Sequence, residues 1–363
     1  MATITSAAGA AGNFQDGSAW VGGVAPTAAD DAVLQATTTS MTIGAGSVCR
    51  SLTTTLFTGT LTHTAGVTLT IGDGTAGAGN VALAFGTFTY TLGNASTSAI
   101  SFVSTSATVQ TINFNGKTTG NVTFNATSNG SWQLTGGWSA LSGTIDLTKG
   151  TLDTNGQTCN WGFFDSGGSS ARTLTLGASQ ISVNFSSNNC WNTNNSGLTL
   201  NAGTSTITLN GSSETFRTSS YTFYSIVIAG SGSHYFNNSA SAFTCTNFTI
   251  TGTANKTDNF QLGSNITVTG ALTINGNSSI NRELVSSNTV GTARTFTTTG
   301  ATVTCTNTDF QDITLSVAKD FSAQTDIGDC GGNSGITFPA SVSQAWSGTS
   351  GGNWSTNAWT TRV

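Results

Sequence analysis

Residues Ile266-Thr267-Val268-Thr269-Gly270-Ala271-Leu272-Thr273-Ile274-Asn275-Gly276 hold two copies of one short unit: apolar, Thr, apolar, one more residue, Gly. Side chains alternate across an extended strand, so each copy places two apolar groups on one side and a Thr on the other, with a turn residue at its end. The unit recurs as Leu69-Thr70-Ile71-Gly72, Leu174-Thr175-Leu176-Gly177, Ile207-Thr208-Leu209-Asn210-Gly211 and Phe248-Thr249-Ile250-Thr251-Gly252. One such strand cannot bury its apolar side alone, so the units must stack. Their irregular spacing excludes a strict short repeat and fits the variable turns of a right-handed parallel β-helix. At roughly 20 to 25 residues per coil and about 4.8 Å between coils, the expected shaft is on the order of 70 Å long. The alternative is an array of β-sandwiches, but no linker or composition shift marks a boundary between such domains.

Composition points the same way. Of the 363 residues only 7% are charged, with 45 Gly and 2 Pro, and Thr, Ser and Asn fill most of the polar remainder. The 20 Phe and 8 Trp argue against disorder, since disordered chains are poor in aromatic and β-branched residues. Net charge is −5, and the ten basic residues are scattered singly, which excludes the clustered Lys and Arg that nucleic acid or an anionic membrane surface requires. The start, Met-Ala-Thr-Ile-Thr-Ser, has no basic and apolar leader, and the longest apolar runs are too short to span a bilayer, so the expectation is a protein made and kept in a cytoplasm without membrane insertion.

Six cysteines, Cys49, Cys159, Cys190, Cys245, Cys305 and Cys330, show no metal-ligand spacing. Four of them (Cys49, Cys159, Cys245 and Cys305) sit in similar local contexts and read as small buried hydrophobes at equivalent inward positions of repeated units.

The two ends resemble each other. Gly12-Asn13-Phe14-Gln15-Asp16-Gly17-Ser18-Ala19-Trp20 is matched by Gly352-Asn353-Trp354-Ser355-Thr356-Asn357-Ala358-Trp359, with Trp346 before the second copy. A solenoid must cover its open strand edges. The chain therefore divides into an N-terminal cap or attachment segment (1–35), a β-helix shaft (36–340) and a C-terminal Trp-rich cap or docking segment (341–363). Trp20, Trp346, Trp354 and Trp359 are the docking candidates.

These residues resemble the β-helical virion surface proteins of tailed bacteriophages. The likeness rests on Trp20, Gly23, Pro26 and Asp30-Asp31 ahead of a strand, on Leu198 to Gly211, on Thr308-Asp-Phe-Gln-Asp-Ile313, and on Asp329 to Phe338. It implies a particle component located on the virion and assembled in the host cytoplasm. It also implies self-association as a homotrimer, with phage capsid or tail proteins and a host cell-surface glycan as partners. Head decoration, tail fibre and polysaccharide-degrading tailspike share this character, and bacterial β-helical adhesins have similar sequences.

No catalytic set emerges. Glycoside hydrolysis needs two carboxyl groups, and the chain has 13 Asp and 2 Glu. Asp309, Asp312, Asp320, Asp326 and Asp329 cluster near the end, but they read as turn residues bonding their own backbone. Asp326 to Asn333 lacks the ligand spacing of an EF-hand calcium loop, and Glu214 and Glu283 read as solvated. Gly72-Asp-Gly74-Thr-Ala-Gly77 matches a dinucleotide fingerprint in letters only, because a strand and not a helix follows it. His63 and His234 lie far from any nucleophile elbow and read as outward-pointing. No cofactor and no metal is expected. Trp132, Trp138, Trp161 and Trp191 crowd one stretch of the chain, either as a glycan-binding surface or as core. The expected function is a non-enzymatic structural protein.

Overall fold

The computed structural model describes residues 2–126, 129–186, 189–236 and 241–340, and the backbones of strands Ser343–Trp346 and Trp359–Arg362. The chain is all-β, with two single-turn 3-10 segments, Gly17–Ala19 and Ala78–Asn80, among the described residues. Its strands stack in parallel as a solenoid of about 13 turns, which at about 4.8 Å per turn gives a shaft of roughly 60 Å.

Three ladders of strands run along the shaft. The first face begins with Thr3–Thr5, Asp31–Val33 and Ser51–Thr53. The second begins with Ala11–Asn13, Ser40–Ile43 and Thr60–His63. The third begins with Val48–Cys49, Thr68–Ile71 and Ala99–Phe102. Coil length varies with the turns: a short coil brings Ser51 beside Asp31, and a much longer one brings Leu83 beside Leu52. The two unit copies in 266–276 lie on consecutive faces of one coil, with Gly270 at the corner: Ile266 pairs with Phe296 on the first face and Leu272 with Val303 on the second.

The inward positions form continuous rows. On the second face, Trp138, Cys159, Ile181, Ile207, Ile226, Phe248, Leu272 and Val303 stand in register. On the third face an aromatic spine runs Phe164–Trp191–Phe216–Phe236–Phe260, with ring centroids 4.5, 5.9, 4.9 and 4.9 Å apart. Outward positions carry polar ladders, such as Asn201 Nδ2 donating to Thr175 Oγ1 (3.2 Å) and Thr306 Oγ1 to Asn275 Oδ1 (2.9 Å).

Cysteines 49, 159, 190, 245 and 305 are buried free thiols, and Cys330 is exposed. The four expected at equivalent positions are all inward but not equivalent: Cys49 lies on the third face, Cys159 and Cys305 on the second, and Cys245 on the first. Both histidines and both glutamates also face inward, contrary to expectation; His63, His234, Glu214 and Glu283 are 0%, 1%, 0% and 2% exposed. A lone polar residue between strands is silent about side, and in each case the alternation that buries its apolar neighbours two positions away buries it too.

The N-terminal segment builds the first coil and covers it. Ser6 N–H donates to the Val33 carbonyl of the next coil (2.9 Å), while on the opposite edge Ala7 N–H donates to Ala19 (2.9 Å) and Val21 N–H to Thr5 (2.8 Å). Residues 19–21 therefore strap the free edge of the first strand antiparallel. The strap is held by Asp16, whose Oδ1 accepts from Ser18 N–H and Oγ (3.0 and 2.8 Å), and by Trp20, which packs edge-on against Phe14 at 5.1 Å and donates its Nε1–H to the Phe14 carbonyl (2.9 Å).

Candidate functional site

The tryptophans considered for glycan contact are core. Trp132, Trp138, Trp161 and Trp191 are 0–2% exposed. Trp138 stacks on Phe114 at 4.6 Å and donates Nε1–H to Thr119 Oγ1 (2.9 Å). A ring enclosed on both sides offers no face to a sugar, so these four are corrected from surface to spine. Trp20, 2% exposed, is likewise withdrawn as a docking side chain, because it is used up in the strap. Trp346 and Trp359 stand opposite each other in an antiparallel strand pair; their side chains, and Trp354 altogether, lie outside the described residues.

The C-terminal aspartates are turn and ladder residues. Arg282 donates to Asp309 through Nε and Nη2 (2.7–3.0 Å), Asp312 accepts from Gly291 N–H (2.9 Å), and Asp326 accepts from Asn307 N–H (2.8 Å). Asp320 and Asp329 accept from the N–H two positions ahead (both 2.8 Å). Among the described residues no group of three or more His, Cys, Asp or Glu is placed to hold a metal ion.

A different carboxyl pair emerges on the outer side of the third face. Strand Trp138–Asp153 wraps all three faces, and strand Thr158–Asp165 lies on it with Thr144 against Phe163, Ile145 against Phe164 and Asp146 against Asp165. Ile145 and Phe164 point inward and are fully buried, so the two aspartates on the alternate positions stand side by side on the outer side. Burial and the neighbouring Asp165 raise the Asp146 carboxyl to about 6, against a lowering pull from Arg172. Asp165 Oδ1 accepts from Gly167 N–H and Asn192 Nδ2 (both 2.9 Å), which fixes its orientation. Arg172 is held beneath by the Ser166 hydroxyl (2.6 Å), the Ser166 carbonyl and the Ser170 carbonyl (2.7 Å).

Two shallow grooves lie on these coils. One of about 220 Å³ is lined by Thr144, Phe163, Phe185 and Asn189. The other, about 310 Å³, lies around the corner on the first face and is lined by Gly130, Gly150, Gly197, Arg172 and Thr173 among others. A carboxyl held near pH 6 beside a second, oriented one has the makings of an acid and a base, and partly buried Phe rings suit the apolar face of a sugar. Sequence reasoning misses this pair although its signal is present: Asp146 follows Thr144-Ile145 and Asp165 follows Phe163-Phe164, so both fall on the outer phase of a strand. What hides the partnership is the length of this particular coil, which nothing local announces.

Comparison of the chain with family models, with curated proteins and with solved structures finds no match.

Proposed function

We propose that the chain is a non-enzymatic structural protein of a bacteriophage particle, a stiff rod serving as capsid decoration or tail fibre. The observation that carries the structural half of this reading is the unbroken spine: buried rows run from the first coil to the last described one as one continuous core. Such a body holds a fixed length and presents fixed surfaces, which is the requirement for cementing a shell or projecting from it. The phage half rests on the sequence resemblance of the opening segment and of 198–211, 308–313 and 329–338, and with it go self-association as a trimer and contact with capsid or tail proteins. Immunogold labelling of particles from the source lysate tests it. Gold over heads supports decoration, gold confined to tails supports a fibre, and unlabelled particles overturn the reading in favour of a bacterial surface adhesin.

The Asp146–Asp165 pair favours a second reading, in which the shaft also cleaves a host surface polysaccharide. Asp146 would donate the proton and Asp165 act as base or nucleophile. Incubation with capsular or lipopolysaccharide glycans should then release reducing ends with a rate that D146N and D165N each lower at least about 100-fold, in line with loss of a general acid or base. Equal release by wild type and both variants, or none by any, removes the enzyme reading.

A further inference from the structure

Near the start of the shaft a large apolar side chain stands in solvent. Leu56 is 68% exposed, at the turn that carries the chain from strand Ser51–Thr53 on the first face to Thr60–His63 on the second. The turn itself is anchored. Phe57 is fully buried and packs on Phe88 at 5.4 Å, Thr54 N–H donates to the Ala84 carbonyl (2.8 Å), and Phe57 N–H donates to the Thr54 carbonyl (3.1 Å). A lone exposed leucine is ordinary on a protein surface. What singles this one out is a groove at its own level on the shaft.

That groove, about 420 Å³, lies at the opposite corner of the second face and is lined by Ala45, Val48, Val67, Thr68 and Thr70 among others. The turn after Ser40–Ile43 and the turn after Thr60–His63 stack to form it, with Val48 in register with Thr70. Its backbone polar groups are spent within the chain. Ser47 N–H and Oγ donate to the Gly44 carbonyl (3.2 and 2.8 Å), Thr70 N–H to the Ser47 carbonyl (3.0 Å), and Gly66 N–H to Thr97 Oγ1 (3.1 Å). None of the described residues lining it is charged. The groove offers chiefly methyl groups, so its chemistry favours an apolar side chain over a sugar or an ion.

Leu56 and the groove belong to the same coil, which runs through Ser51–Thr53, Thr60–His63 and Thr68–Ile71. Rotation about an axis parallel to the shaft, as in any closed ring of parallel rods, leaves height along the shaft unchanged. The Leu56 corner of one copy and the groove corner of the next then meet at the same level. A one-way contact of this kind closes into a ring and does not grow a filament. Between the two corners the second face presents Ser40, Thr42, Thr60, Thr62, Thr89 and Thr91, in register on three coils. All six are uncharged, so no ion is stripped of water when a second copy approaches.

We propose that a second copy of this chain docks here in parallel, seating its Leu56 in the groove of the first. This rests on the self-association put forward above and gives it a surface. Each copy gives one leucine and receives one, and three such contacts close the trimer. Leu56 is the anchor of the contact, and the uncharged second face lies between one contact and the next.

Sedimentation of the full chain and disulfide trapping test the contact, the trapping in a Cys330→Ser background because Cys330 is an exposed thiol. Coexpressed L56C and T68C chains should form covalently linked pairs on oxidation, and neither variant should do so alone. L56E should raise the dissociation constant of the assembly at least about 30-fold, as loss of an interface anchor does. Leu56 and Thr68 are both exposed, so these replacements leave the fold intact. An assembly of several copies that yields no mixed link, or in which either variant links to itself, overturns the groove contact while self-association stands. A wild-type chain that sediments as a single copy at every concentration overturns both.

Discussion

At the scale of single residues, Trp138 shows how the core is built. Its indole stacks on Phe114 at 4.6 Å, meets Trp161 edge-on at 5.5 Å and satisfies its N–H on Thr119 Oγ1. It thus ties neighbouring coils together, and truncation leaves a hole that rigid strands on each side cannot close. Trp138→Ala should cost about 3–5 kcal/mol, and Trp138→Phe less, since the ring stack survives and the Thr119 hydroxyl loses the bond it accepts while still donating to the Gly120 carbonyl. Equilibrium denaturation followed by the fluorescence of the remaining tryptophans measures both. Near-equal losses would show that the hydrogen bond and not the ring carries the site. The same scale holds the clearest failures of sequence reading. Trp132, Trp138, Trp161 and Trp191 admit a surface reading because Trp suits both sugars and cores, and composition cannot choose between them. His63 and His234 mislead for the opposite reason, since polarity argues for solvent. Yet His63 is satisfied inside by the Tyr90 hydroxyl (2.8 Å) and the Val67 carbonyl (3.0 Å).

At the scale of elements, the apolar–Thr–apolar unit was legible because its information is local: period two, a turn residue, and too little apolar surface to stand alone. Parallel stacking followed from it, and so did the ladders of like residues. Which coil lies on which was not legible, because turns of different length place Asp165 over Asp146 after a short coil and Leu83 over Leu52 after a long one. The outer carboxyl pair is a consequence of that register and could not be read without it. Register in turn depends on the corners. Gly203 (φ +58°) sits over Gly177, and a Cβ there would lie 2.3 Å from the Gly177 carbonyl oxygen; Gly9 (φ +69°) has the same left-handed backbone and open space around it. Both Ala substitutions carry a left-handed strain of about 1–2 kcal/mol, but only Gly203→Ala also forces two coils apart. Gly203→Ala should therefore be the more destabilising by at least about 1 kcal/mol, read as a difference in denaturation midpoints at constant slope. Equal losses would mean that the corner opens freely and does not set the register.

At the scale of the whole molecule, a parallel solenoid has an inherent hazard: each terminal coil ends in a row of unpaired N–H and C=O groups ready to accept another strand. The N-terminal segment meets it by reversing direction. Antiparallel residues 19–21 occupy the outer edge of the first strand, and a strand so paired cannot accept a parallel coil from a neighbouring molecule. The C-terminal segment carries an antiparallel pairing of its own: Trp346 stands opposite Trp359 at nearly the chain separation at which Ser6 bridges Trp20, and both segments hold Gly-Asn-aromatic and Ala-Trp. A strapped edge is what a rod needs if its length is to be set by its own chain and not by polymerisation. Removing residues 1–30 should leave the strand Asp31–Val33 with a bare edge above an intact core. The expected outcome is concentration-dependent growth of the truncated chain, seen by light scattering and as elongated particles in negative stain, with the full chain unchanged in parallel. Trp20→Ala, which loosens the strap without deleting the first coil, should show the same growth more slowly and chiefly on warming. A truncated chain that stays at the size of the full one would place the protection in the outward charges and turns of the next coil and reduce the strap to a local fold.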